Sequence, residues 1–313
     1  MPDTYWGYLL SAGALLLFTT SILTTRAASS RIPLGLGFLI ATVVNVAFSA
    51  LAFGVQLVLR PQGLQWNLQA LGLFALAGAF STYLGRWFFY ESVVRFGPAK
   101  ASIFQVSSPL FTALMAWLLL GEALTAMIAT GMLIAMGGLL LVSYKPGFFS
   151  RDKSVALFKT SLHHRLLQSV LLLGLGSSLA YAVGNVLRGS AVRMWNEPIL
   201  GALAGAVCGL ALHLAFSRSK AETSSLVVRL KTADRRGVWL YALIGVCTIS
   251  AQICVIGAMR NIPLSVATLV TLCTPILVFP LSHLLFKSQD NITASTLAGG
   301  ALTLLGIFMV VMH

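Results

Sequence analysis

Ten apolar runs of about twenty residues, most of them divided by prolines, limit what this chain can fold into. They cover roughly 6–25, 34–59, 68–94, 99–120, 126–144, 166–187, 198–216, 237–259, 264–286 and 292–312. A hydrocarbon core about 30 Å thick needs about 20 apolar residues in a helix, at a rise of 1.5 Å each. Pro33, Pro61, Pro98, Pro146, Pro198 and Pro263 fall in or beside the gaps, where helix breakers belong. The pattern predicts an all-α integral membrane protein with ten transmembrane helices. Composition agrees: 58% of residues are hydrophobic and 9% are charged, against about 25% charged in a soluble domain.

The net charge of +13 sits mostly in the connections. Basic loops are read as topology signals and lipid-headgroup contacts, so membrane lipids are expected partners and nucleic acid is not. Cys208, Cys247, Cys254 and Cys273 all fall in apolar runs, as small packing residues do. Their spacing supports neither a disulfide framework nor a metal site. The first run lacks a basic leader and a convincing cleavage site, so it reads as a retained helix.

The chain repeats itself. Pro33 matches Pro198, Arg95 matches Arg260, Pro109 matches Pro275, Thr125 matches Thr293 and Gly131 matches Gly299. Each copy holds five runs. Five is odd, so the second copy enters the membrane from the opposite face, giving inverted repeats with a site near the midplane. The expected division is 1–145, a basic interfacial linker 146–165, and 166–313. Phe148, Phe149, Leu157 and Phe158 among Lys and Arg suit a short interfacial helix in that linker. The basic segment from Arg218 to Arg236 reads as a solvated linker.

The sequence of a long third run, a Gly97-Pro98 break, SSPLFTALMAWLLLGEALT and GMLIAMGGLLL resembles the EamA domain of the drug/metabolite transporter superfamily. Pro109, Gly121, Glu122, Leu124, Thr125, Gly131 and Gly138 carry the resemblance in the first copy. In the second, Gln289-Asp290 replaces Gly-Glu, while Thr293, Gly299 and Gly306 keep their places. The resemblance implies a central cavity, alternating access, and export or uptake of small metabolites such as amino acids. It implies both termini in the cytoplasm. The positive-inside rule implies the reverse, because most Lys and Arg lie in odd-numbered loops. The even-numbered loops hold only Arg60, Arg188, Arg193 and Arg260.

Arg86 lies more than a turn inside the third run. A charge there faces the bundle interior or water, or else snorkels to the interface. Facing inward, it would hold a carboxylate or phosphate. On an α-helix Tyr83, Arg86 and Tyr90 share its face. Glu91 is the one carboxylate inside a run and is the candidate for proton coupling, although its spacing also suits a structural pair with Arg95. Gln105, Ser107 and Ser108 precede Pro109, and Thr271, Cys273 and Thr274 precede Pro275. A proline inside a span frees the carbonyl four residues back, which suits a cavity lining; back-bonded hydroxyls are the alternative. Tyr181, Asn185 and Arg188 form a polar stripe, and Gln252 is a further candidate. The expected substrate-binding set is Arg86, Tyr83, Tyr90, Gln105, Ser108, Tyr181, Asn185, Gln252, Thr271 and Thr274. His213 and His283 read as lone interior or interfacial histidines. Gly201, Gly205 and Gly209, like Gly176, Ala180 and Gly184, mark close helix packing, within the bundle or between protomers of a possible homodimer. Gly121-Glu122 reads as a structural turn, with the carboxylate favouring the start of the next helix.

No phosphate-cradling Gly-rich motif, GxSG, HExxH or paired intramembrane Asp motif is present, so ATP drive and hydrolysis lack their parts. The sequence points to a secondary transporter for a small polar or anionic metabolite of the amino-acid or organic-acid class. It is expected in a bacterial inner membrane, not an enzyme, with no cofactor and no metal. An organic-cation or drug exporter and a non-transporting scaffold are the alternatives.

Overall fold

The computed structural model describes residues 2–60, 64–89, 107–143, 170–218, 233–274, 277, 278, 281 and 294–311. They form helices and no strand. The helices are α1 (Pro2–Ser29), α2 (Leu34–Leu59), α3 (Leu68–Ala77), α4 (Ser108–Leu120), α5 (Ala126–Ser143), α6 (Val170–Met194), α7 (Pro198–Arg218), α8 (Arg235–Asn261), α9 (Leu264–Leu272) and α10 (Ala294–Val311). Beyond α3 the helix continues as a π-helical stretch, Gly78–Gly85, and then 86–89. Among the described residues five helices are long and apolar enough to cross a membrane: α1, α2, α3 with its extension, α7 and α8. Three shorter apolar helices lie in α4, α5 and α10.

The packing exchanges the two halves. α1 lies on α8, and its counterpart α6 lies on α3. α2 contacts α8, and α7 contacts α3; α1 meets α9, and α6 meets α4. The remaining cross-pairs, α2 with α7, α4 with α9 and α5 with α10, join each helix to its own counterpart. Small residues make these approaches possible, because lipid supplies no hydrophobic drive between helices and close contact must do so. A Cβ on Gly131 would meet Gly306 and Val310, and one on Gly138 would meet Gly299 and Thr303, so α5 and α10 run antiparallel. Gly201, Gly205 and Gly209 lie along Phe74, Gly78 and Thr82. The Gly-rich face of α7 is therefore used within the bundle, against α3.

The bundle has two ends. α1 begins beside Asn261 and Ile262 at the close of α8, and α10 finishes beside the start of α5; we call this the terminal end. At the other, the linker end, α5 stops and α6 starts. The tryptophans gather at these ends. Trp6, Trp66, Trp117 and Trp195 belong to the terminal end, Trp87 and Trp239 to the linker end, and all but Trp195 are exposed. Such belts mark the levels at which a bilayer's headgroups meet a protein.

Two expectations change here. α6 does not stop near 187 but runs to Met194, so Arg188 lies inside a helix and is not a loop residue. The break is at Trp195-Asn196-Glu197-Pro198, where Pro198 opens α7. The described part of α4 starts at Ser108, which puts Pro109 in its first turn, where no intrahelical donor is needed, rather than deep inside a span. The linker 146–165, most of the segment from Arg218 to Arg236, and His283 lie outside the described residues.

Candidate functional site

The polar centre is built on the π-helical stretch of α3. In a π-helix the backbone bonds run from i to i+5. Ser81 lies within this stretch, and Arg86 follows its last residue, Gly85, with its backbone N–H donating to Tyr83 O. The stretch departs from the α-helical spacing assumed for Tyr83, Arg86 and Tyr90. Two other helices hold the stretch in place. A Cβ on Gly184 of α6 would strike Ser81, and one on Gly78 would strike the backbone of Gly205 on α7.

Arg188 reaches into this centre from α6. It is buried, at 6% exposure. Its Nη2 donates to Ser81 Oγ at 2.6 Å and to Gln252 Oε1 of α8 at 3.4 Å. Both partners are neutral. Among the described residues no carboxylate contacts it, and Nη1 and Nε donate to none. A buried charge without a counter-charge is costly. Ser81 also donates back to Ala77 O at 2.7 Å, so its hydroxyl is committed and presents a lone pair to Arg188.

Arg86 stands toward the linker end, half-buried. Its guanidinium carbon lies 4.9 Å from the centre of the Phe38 ring on α2, within cation–π range. Phe38 in turn meets His213 of α7 edge-on, with centroids 5.2 Å apart. Tyr83 stacks on Phe216 of α7 at 5.4 Å. Arg86 is close enough for its charge to act on both Arg188 and His213. Tyr181 lies against the backbone of Gly85 and faces Arg188 electrostatically. Arg86, Tyr83, Tyr181, Asn185 and Gln252 thus belong to the helices that surround one centre, α3, α6 and α8.

Other expected residues fall differently. Thr271 is buried, and its hydroxyl donates to Ala267 O at 2.7 Å, the back-bonded arrangement weighed beside a cavity lining. Cys273 likewise bonds to Leu269 O. Thr274 is buried. Ser108 is buried and its Oγ has no partner among the described residues, and the same holds for Thr112 one turn on. Tyr90, Glu91 and Gln105 lie outside the described residues.

The terminal end is sealed by carboxylates gripped across the halves. Glu122, after α4, accepts from Leu264 N at 2.7 Å and from Ser265 Oγ at 3.2 Å, and pairs with Arg193. It caps α9, a helix of the other half, and not the start of its own next helix α5. The turn that presents it needs Gly121 at φ 64°, where a side chain would be strained. Glu197, 3% exposed, pairs with Arg60 and accepts from Gln56 Nε2 at 2.8 Å. Trp66 and Trp195 close the same end, their centroids 6.1 Å apart. At the linker end the described cross-half ion pair is Arg31–Asp234 at 2.9 Å, and it is exposed. An open groove of about 590 Å³, beside Glu197 and lined by Val55, Gln56, Arg60, Asn196 and Ile199, is separate from the arginine centre.

Sequence reasoning undervalued Arg188 and did not single out Ser81. The signal for Arg188 was its stripe with Tyr181 and Asn185, with no proline before WNEP to end the helix. The signal for Ser81 is absent from the sequence, because α-helical spacing hides a π register.

No curated protein matches the chain. Among solved structures, 29 chains match. One, described as "Crystal structure of protein", is 15% identical with a TM-score of 0.67, over 97% of this chain and 96% of that one. At that identity the likeness shows the fold alone. A family model for the EamA-like transporter family matches residues 5–144 and again 168–312. Two copies of that model over nearly the whole chain, on paired helices that exchange their contacts, leave one conclusion: this is a membrane transporter, not an enzyme, and it belongs to the EamA-like transporter family.

Proposed function

We propose that the protein is a secondary transporter for small anionic metabolites of the amino-acid or organic-acid class, working by alternating access. The observation that carries this reading is Arg188, a buried guanidinium whose contacts among the described residues are neutral. A substrate carboxylate or phosphate completes its hydrogen bonds and supplies the missing charge. The ten helices act as two inverted repeats, 1–145 and 166–313, joined by 146–165, in a bacterial inner membrane. The terminal end is the closed side in this state, because Glu197 is buried and Glu122 and Glu197 are each held by several donors. Access from that side requires Glu122 to leave α9 and Glu197 to leave Arg60.

An exporter of cations would place a carboxylate at the centre. Among the described residues, Glu122 and Glu197 sit at the terminal end instead, and Asp3 and Asp234 lie at helix starts. The test is exchange of labelled organic acids and amino acids by purified protein in proteoliposomes. Arg188→Gln is expected to abolish exchange while leaving the melting temperature near that of the wild type. Wild-type exchange in that variant overturns the reading.

A further inference from the structure

Two arginines face this centre, and the described residues offer it no negative charge. Arg188 is fixed on Ser81, and Arg86 stands five residues after Ser81 on the same helix, just past the π-helical stretch, with its charge acting on Arg188. The two differ in how they are held. Arg188 is anchored by Ser81 and Gln252. Among the described residues the Arg86 guanidinium makes no hydrogen bond, and it rests on the face of Phe38, a contact weak enough to leave for an anion. Like charges near each other in a low-dielectric site repel, and a single anion leaves one of them uncompensated.

We infer that the transported substrate is a compact dianion, a short dicarboxylate or a phosphorylated small acid, held with one anionic end on Arg188 and the other on Arg86. This rests on the anion reading above and narrows it. Arg188, with its neutral anchors, is the fixed half of the clamp and gives affinity for any anion. Arg86 is the movable half. It swings from Phe38 to the second anionic group, and it sets the preference for two charges over one. Phe38 and His213 form the parking place that keeps the guanidinium ordered when the site is empty.

The test uses the full-length protein, purified in detergent for binding and reconstituted for exchange. The probes are succinate, malonate and 3-phosphoglycerate as dianions, acetate and lactate as monoanions, and glycine as a zwitterion. Binding is read from the ligand-induced shift in melting temperature, transport from counterflow. The dianions are expected to bind at least tenfold more tightly than the monoanions. Arg86→Gln is expected to remove that preference and retain monoanion binding, whereas Arg188→Gln loses both. Phe38→Leu removes the parking contact without touching either anion site, and it is expected to keep the dianion preference. Equal affinity for monoanions and dianions in the wild type overturns this inference and leaves the anion reading standing. An unchanged dianion preference in Arg86→Gln also overturns it. Binding of none of these anions, or binding unaffected by Arg188→Gln, overturns both.

Discussion

Arg188 and Ser81 show how a single hydroxyl settles the state of a charge. The guanidinium is out of water, and its shorter bond is to Ser81. Removing that acceptor leaves a buried donor unsatisfied, which costs about 1–3 kcal/mol. Ser81→Ala is therefore expected to lower stability by about that much in a detergent melt, and bound substrate anion is expected to recover part of it. Asp234 is a contrasting case outside the membrane. The Arg31 side chain and the backbone N–H of Arg236 hold its carboxyl below the usual carboxylate value. A depressed pKa contributes stability at neutral pH, and that contribution disappears as pH falls through the lowered value. Asp234→Asn is expected to flatten the acid limb of a melting-temperature profile. Because the pair is exposed, moderate salt is expected to flatten it as well.

At the scale of helices, the crossing of α3 and α7 is decided by which glycine meets backbone. A Cβ on Gly78 would fall on the Gly205 carbonyl, closer than atoms can approach. A Cβ on Gly205 would find its nearest atom, Gly78 Cα, at 3.5 Å, an ordinary contact. The two positions look alike in the sequence and are not equivalent. Gly78→Ala is expected to destabilise the protein by about 1–3 kcal/mol, as overpacking does, and to disturb the π-helical stretch that carries Ser81 and Arg86. Gly205→Ala is expected to be close to neutral. Circular dichroism melts of the two variants, side by side, check the asymmetry. The small-residue spacing was visible in the chain, and its use within the bundle was not, because spacing alone does not name the facing helix.

For the whole molecule, the terminal end ties the halves together in both directions. Glu122 of the first half is held by Arg193 and the start of α9; Glu197 of the second is held by Arg60 and Gln56. A double-mutant cycle on Glu122 and Arg193 is expected to give a coupling of about 1 kcal/mol or more in stability. The same variants are expected to expose a cysteine introduced at Ser265 to thiol reagent faster, since the cap on α9 is gone. Additive effects with unchanged labelling would show that this end is not the gate.

The sequence by itself determined the membrane, the helices and the repeat. Those follow from the length of apolar runs, the prolines between them and the recurrence of Pro, Gly and Thr at nearly the same offset, all local or periodic properties. It also brought Arg86, Tyr83, Tyr181, Asn185 and Gln252 forward, because polar residues in apolar runs are conspicuous. The tertiary structure alone decided the rest. Whether an arginine near a helix end is loop or centre depends on where the helix stops, and for α6 that is at WNEP, seven residues beyond Arg188. That Ser81 meets Arg188 depends on a π-helical stretch packed against α6 and α7, which sequence spacing does not reveal. Glu122 was legible as a turn, but the helix it caps lies 142 residues away in the other half.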